Sequence, residues 1–178
     1  MAVLDIISII SDVLVILAFI GGAVWGFYKF QKMRMSESKL EIELIPVVYN
    51  NVKSKVVDVS IRLKNIGNVA IYSKVPHNQC LLEVKAIPDG LKDSVISGND
   101  NDLPSLFPPI EFLKDFEFWY PKEPYIIEPG VTEIVHVVFS TSYDGIVLLK
   151  ASFVDKDDYL YMTKKVVDLR KATSHNNG

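Results

Sequence analysis

Residues Val13 to Tyr28 read VLVILAFIGGAVWGFY and carry no charge. A helix crossing a bilayer needs about 20 mostly apolar residues, each rising about 1.5 Å. Extending the run back to Ile6 reaches that length with Asp12 as its only charge. Residues 1–30 are therefore expected to form a single transmembrane helix. A cleavable signal peptide begins with a basic segment and ends at small residues. This chain begins MAVLD, and its apolar run ends in Trp25, Phe27, Tyr28 and Lys29. The helix is expected to stay in place as an anchor.

Working outward, the flanks set the orientation. No Lys or Arg precedes the run, whereas Lys29, Lys32, Arg34 and Lys39 come after it. Basic flanks stay in the cytoplasm. The expected arrangement is a single-pass inner-membrane protein with its N-terminus outside and its C-terminal domain cytoplasmic. Trp25, Tyr28, Lys29, Lys32 and Arg34 then form the membrane-interface group, the rings at headgroup level and the bases beside lipid phosphates. Residues 31–38 read as a basic juxtamembrane link too short to let the domain move far from the bilayer.

One face of the helix differs from the rest. At about 100° per residue, Asp5, Ser8, Asp12, Phe19, Gly22, Ala23 and Gly26 share one side. Gly22 and Gly26 make a small-xxx-small pair, which lets two helix backbones approach. A charge inside a span costs about 2.5–3.5 kcal/mol near its centre and less toward its ends. Two readings stand: a helix–helix interface in a homo-oligomer or with another membrane protein, or an interfacial outer third in which Asp12 reaches headgroups.

Beyond the helix there is room for one ordinary domain, residues 39–172, with a disordered tail at 173–178. Before Ser38, bases and acids balance at three each, so the net charge of −3 belongs to the chain from Ser38 onward. That acidity argues against a nucleic-acid partner, which needs a basic face. Cys80 is the single cysteine, so no intramolecular disulfide forms.

The domain reads as short strands. Leu40 to Tyr49 alternates at its start, and Pro46 predicts an edge strand or a bulge. Val57 to Lys64 alternates cleanly, with Val57, Val59, Ile61 and Leu63 on one face. Asn65-Ile66-Gly67-Asn68 is turn chemistry, and Val69 to Val75 and Cys80 to Ile87 are the next strands. Thr132 to Ser140, Gly145 to Asp155 and Tyr159 to Leu169 close the series, with Asp155 to Asp158 as a hairpin turn. Such a series predicts a mainly β chain whose soluble part is an antiparallel β-sandwich.

Residues 88–129 interrupt that regularity as an insertion rich in Pro, Gly and Asn. Its second half carries Phe107, Phe112, Phe116, Phe118, Trp119, Tyr120 and Tyr125. Phe112 to Phe118 suits either a short helix or part of a strand. Long insertions are where scaffolds carry function, and aromatics dominate binding hot spots. These seven rings are the expected partner-binding surface, set against the alternative that they cap the open end of the core.

The run Val59-x-Ile61-x-Leu63-x-Asn65-x-Gly67-Asn68, then Ile127-x-Pro129-Gly130, then Gly145 leading into Leu148-x-Lys150-x-Ser152, resembles bacterial and archaeal immunoglobulin-like adhesion-type repeats. The likeness covers most of 40–170 apart from the insertion. It implies an immunoglobulin-like fold and no activity. The whole layout is also similar to small bacterial single-span proteins with a cytoplasmic β-sandwich, some of which accompany anti-phage genes. No particular residue carries that second resemblance.

Chemistry-bearing motifs are missing. His77-x-x-Cys80 has ligand spacing, but a zinc site needs three or four ligands and only His136 remains outside the tail. The expectation there is a loop histidine and a buried thiol. Asp155, Asp157 and Asp158 lack the glycine and glutamate of a calcium loop and suit a solvated turn; Asp100 and Asp102 offer no more. No nucleophile elbow, phosphate loop or HExxH occurs. The expectation is a non-enzymatic, cofactor-free, metal-free membrane protein whose cytoplasmic domain binds a protein partner or assembles the chain at the membrane. The alternative is an oligomeric effector that perturbs the bilayer, in anti-phage defence.

Overall fold

The structure is a computed structural model. It describes residues 2–35, 38–50, 54–88 and 100–171, without the side chains of 2–12, 31–35, 50 and 101. The expected tail at 173–178 and part of the insertion, 89–99, lie outside the described residues.

Helix α1 runs from Ala2 to Met35. Its stretch Val13–Phe30 has a mean hydropathy of 1.9, and none of it is buried within the chain. It is one helix long and apolar enough to cross a membrane. It continues through most of the expected 31–38 link, because Lys29 to Met35 contains only straight-chain and aromatic residues, with no Gly or Pro to stop it. Residues from Ser38 onward form a second compact unit.

That unit is mainly β. Its elements are β1 (Leu40–Asn50), β2 (Lys55–Asn65), β3 (Ile71–Tyr72), β4 (Leu81–Ile87), β5 (Ile110–Glu111), α2 (Lys114–Trp119), β6 (Ile126–Ile127), β7 (Thr132–Thr141), β8 (Ile146–Val154) and β9 (Leu160–Asp168). Three antiparallel sheets result, with orders β1-β2-β7, β3-β6 and β5-β4-β8-β9. The predicted long strand Val69 to Val75 shrinks to two residues, followed by an isolated bridge from Ser73 to Asp155. Pro46 sits on an edge strand as expected, and the register passes through Pro46↔Val59 without a bulge.

The alternation in β2 decides the core. Val57, Val59, Ile61 and Leu63 are all fully buried, each contributing about 1.5–3 kcal/mol of transfer free energy. They share one cluster with Leu82 and Val84 of β4 and Val147, Leu149 and Phe153 of β8. The inner faces of the three- and four-stranded sheets therefore meet in a common core.

At one end of the strands, Asn65 closes the structure. Its buried Nδ2 donates to Val69 O and Ile127 O, both at 2.8 Å, while Oδ1 accepts from Gly67 N at 2.9 Å. Gly130 donates to Asn65 O at a φ of 76°, a left-handed conformation that favours glycine. The chain enters the domain at this same end. Ile66 N donates to Lys39 O, and the Tyr161 hydroxyl lies 3.0 Å from Ser38 Oγ.

The hairpin between β8 and β9 forms at Asp155 to Asp158, but Asp155 is buried, not solvated as expected. Its Oδ1 accepts from Asp157 N and Tyr159 N, both at 2.9 Å. An aspartate that shapes its own turn satisfies backbone donors that would otherwise stay unpaired.

Candidate interaction surfaces

Helix α2 divides the seven insertion aromatics. Pro108-Pro109 precede it and Pro121 follows Tyr120, so the helix is short, as the residue before a proline leaves the helical region. Phe112 and Leu113 are buried and root it in the core. Phe116 packs against His77, Tyr120 and Tyr125 with ring centroids 5.1–5.5 Å apart. Phe107 packs edge-on against Phe139 of β7. Helical periodicity then turns Phe118 and Trp119 outward. They are 77% and 73% exposed and form a T-shaped pair at 5.2 Å, with Tyr120 half exposed beside them. Phe107, Phe112, Phe116 and Tyr125 thus serve packing, Phe118 and Trp119 stand exposed, and Tyr120 does both, half exposed while its ring packs on Phe116.

His77 supports this helix from below. It is a loop histidine as expected and fully buried, and neither ring nitrogen has a hydrogen-bond partner among the described residues. Glu117 Oε2 stands 3.9 Å from Nδ1. Burial pushes the imidazole pKa below its ordinary value, against the pull of Glu117. Cys80 is a buried thiol as expected, pushed up to about 11 by burial, and so unreactive. Among the described residues no group of three His, Cys, Asp or Glu side chains could hold a metal.

Beside α2 lies an open groove of ≈ 380 Å³ lined by Tyr72, Ser73, Lys74, Val75, Pro124 and Lys156. Lys156 Nζ sits 4.5 Å over the Tyr72 ring, and Lys74 pairs with Asp158. The groove joins the insertion because Ser73 N donates to Tyr125 O and Tyr125 N donates to Ser73 Oγ.

A second surface was not singled out by sequence reasoning: the outer face of the three-stranded sheet. Its β7 edge exposes Ile134 and Val138, at 51% and 63%. Between them His136 Nδ1 lies 3.3 Å from both Asp58 Oδ1 and Ser60 Oγ. Alternation in Thr132 to Ser140 contained this signal. Its outward face places Ile134 and Val138 among Thr132, His136 and Ser140, two more apolar residues than a cleanly alternating strand with one solvated face carries.

The outer face of the four-stranded sheet carries a charge network that was also missed. Glu83, Lys150 and Lys164 stand in one cross-strand row. Opposed like charges such as Lys150 and Lys164 are destabilising alone. Asp100, from the insertion, resolves this: Lys164 donates to its Oδ1 at 3.0 Å, and Lys150 lies 3.7 Å from Oδ2. Buried Lys85 donates to Asp100 O at 2.9 Å and lies 3.2 Å from Glu83. The Lys164 hydrogen bond holds the Asp100 carboxyl below its usual range. Burial pushes Glu83 up, but its lysine hydrogen bonds outweigh that and bring it down. Every charge faces an opposite one, which describes a structural staple and not a site.

On α1, Phe19 is 80% exposed, and a Cβ added at Gly22 or Gly26 would meet nothing within 4 Å. Lys29 Nζ lies 5.0 Å over the Trp25 ring. The side chains of Asp5, Ser8, Asp12, Lys32 and Arg34 lie outside the described residues.

No family model matches the chain, and no curated protein matches it. Among solved structures, an X-ray structure of Northeast Structural Genomics Consortium target SoR45 is similar at 9% identity and a TM-score of 0.39. That likeness covers 80% of this chain and 91% of the other. An overlap that low carries neither fold nor function across.

Proposed function

We propose that this chain is a single-span membrane protein whose cytoplasmic, immunoglobulin-like β-sandwich is a non-enzymatic module that binds an extended segment of a protein partner. The observation that carries the reading is β7. Edge strands are templates for pairing and are usually blunted by proline, by lysine or by shortness. Here β1 has Pro46, β9 has Lys164 and Lys165, and β5 is two residues long. Strand β7 is ten residues long, lies at a sheet edge, and has only Glu133 and His136 as guards. Its outward Ile134 and Val138 would meet alternate side chains of an added strand, as in β-augmentation.

Support for the sandwich is the shared core of the two larger sheets. Support for the span is the length and apolarity of α1, and support for a cytoplasmic domain is the Lys29, Lys32, Arg34, Lys39 cluster. A photo-crosslinker placed at Val138 of the full-length protein in cells tests the partner. One discrete adduct is expected, lost in Ile134→Lys. A crosslinker that finds only water removes the edge-strand reading. Protease added to spheroplasts tests the side: the domain should survive, and its digestion reverses the orientation.

The bilayer-perturbing alternative rests on the open Gly22/Gly26 face and needs assembled helices. Permeabilisation by residues 1–40 in forced oligomeric form would favour it.

A further inference from the structure

The phase of the β2–β7 ladder fixes what β7 offers on its open side. Asn65 N donates to Val131 O at 3.1 Å, so these two form a hydrogen-bonded pair one step beyond Lys64↔Thr132. Such pairs alternate along an antiparallel ladder. Thr132, Ile134, His136, Val138 and Ser140 therefore turn their main-chain N–H and C=O away from β2. Among the described residues no strand pairs with them. The far edge of the same sheet is closed. Ile66 N donates to Lys39 O, and by the same alternation the main chain of Leu44 and Pro46 points outward there. Pro46 has no N–H to give, and Leu44 O already accepts from Lys165 Nζ at 2.9 Å.

We infer that the open edge of β7 pairs with β7 of a second copy of the chain, antiparallel and centred on His136, joining two three-stranded sheets into one. The inference rests on the reading of β7 as a pairing edge and names its partner. The near-symmetry of the strand about His136 points to a copy. A two-fold axis there sets Ile134 against Val138 of the copy, Val135 against Val137, and Thr132 against Ser140. The exposed Ile134 and Val138 then cover each other on both sides of the axis. An axis at Val135 or Val137 sets His136 against Ile134 or Val138 instead and leaves the apolar pair unmatched. No like carboxylates oppose: Glu133 faces Phe139 of the copy, and its side chain already holds the Tyr125 hydroxyl. At the axis two imidazoles meet, each with Asp58 Oδ1 3.3 Å from its Nδ1, so a carboxylate stands beside each ring. A two-fold contact consumes both edges at once. Since β1, β5 and β9 are blunted, pairing stops at two copies and does not propagate.

Disulfide trapping in the full-length protein tests the register. Two differently tagged copies, one with Ile134→Cys and the other with Val138→Cys, are co-expressed, and the unfractionated lysate is oxidised with copper phenanthroline. Both positions are exposed, so neither change should disturb the fold. Cys80 is buried and stays out of the reaction. Hydrogen-bonded antiparallel partners have Cα atoms about 5.5 Å apart, within disulfide reach. Two copies of one variant hold their thiols offset by the spacing from Ile134 to Val138, about 13 Å, which is out of reach. The expected product is a dimer carrying both tags, with neither tag dimerised alone. Dimers that combine the tags at random come from collision and overturn the inference. If no disulfide forms, the photo-crosslinker at Val138 separates the remaining cases. An adduct between two copies places the axis elsewhere and overturns pairing about His136. An adduct with a different protein overturns the inference and leaves the edge-strand reading standing. No adduct removes both.

Discussion

The Tyr161 hydroxyl lies 3.0 Å from Ser38 Oγ and 3.3 Å from Ser38 O, which ties the first residue of the soluble unit to the start of its last strand. Burial raises the phenol pKa, so the group stays a neutral donor. Tyr161→Phe removes one partly buried hydrogen bond. The expected loss is about 1 kcal/mol, a fall of roughly 3–4 °C in Tm for a domain of this size, read by thermal melting of residues 38–172. That fragment is expected to give a β-type circular dichroism spectrum and one cooperative transition. A mostly helical spectrum would refute the fold.

Phe112 and Trp119 sit seven residues apart in one insertion and should behave oppositely. Phe112→Ala opens a cavity in the core and is expected to cost about 3–5 kcal/mol. Trp119→Ala removes a ring that is 73% exposed and should change stability by less than about 0.5 kcal/mol. Denaturant titration of both variants distinguishes them. Equal losses would mean that the exposed tip is part of the packing.

Asp100 holds two lysines apart in the outer row of the four-stranded sheet. Asp100→Asn takes the carboxylate from Lys164 and leaves Lys85 and Lys150 with Glu83. Removing one partner from a buried ionic group costs about 3–5 kcal/mol, and the loss should shrink in Asp100→Asn combined with Lys164→Met. A double-mutant cycle in urea measures that coupling.

His77 makes stability depend on pH in a defined window. The unfolded chain takes up the imidazole proton near its ordinary 6.5, and the fold takes it up only at lower pH. The contribution is complete above 6.5 and is lost as pH falls through that value toward the folded pKa. Glu83 and Asp100, both lowered, lose theirs only below their ordinary 4.5 and 3.8. Melting temperature is expected to drop in two stages on acidification. His77→Phe should abolish the first stage and leave the second.

Gly22→Leu with Gly26→Leu tests the open face of α1. If helices meet there, leucine holds the backbones apart, and crosslinking in membranes should fall to background. Unchanged crosslinking would make α1 a plain anchor.

Much of the architecture could be read from the chain because it is local. The apolar run needs no tertiary contact to be recognised, and β2 alternates so regularly that its buried face follows from its sequence alone. The edge position of Pro46 and the turns at Asn65 and Asp155 follow from backbone chemistry that only a few residues satisfy. Partner choice is different, since it is made by side chains far apart in sequence. Nothing near Asp100 says that it will sit among Lys85, Lys150 and Lys164, and nothing near His77 announces Glu117. The seven insertion aromatics look alike in sequence. Only the turn of a six-residue helix, rooted by Phe112 and Leu113, buries some and exposes Phe118 and Trp119. Hydrophobic pattern specifies which faces must be covered; which element covers them, and which ring is left over, is decided when the sheets close on one another.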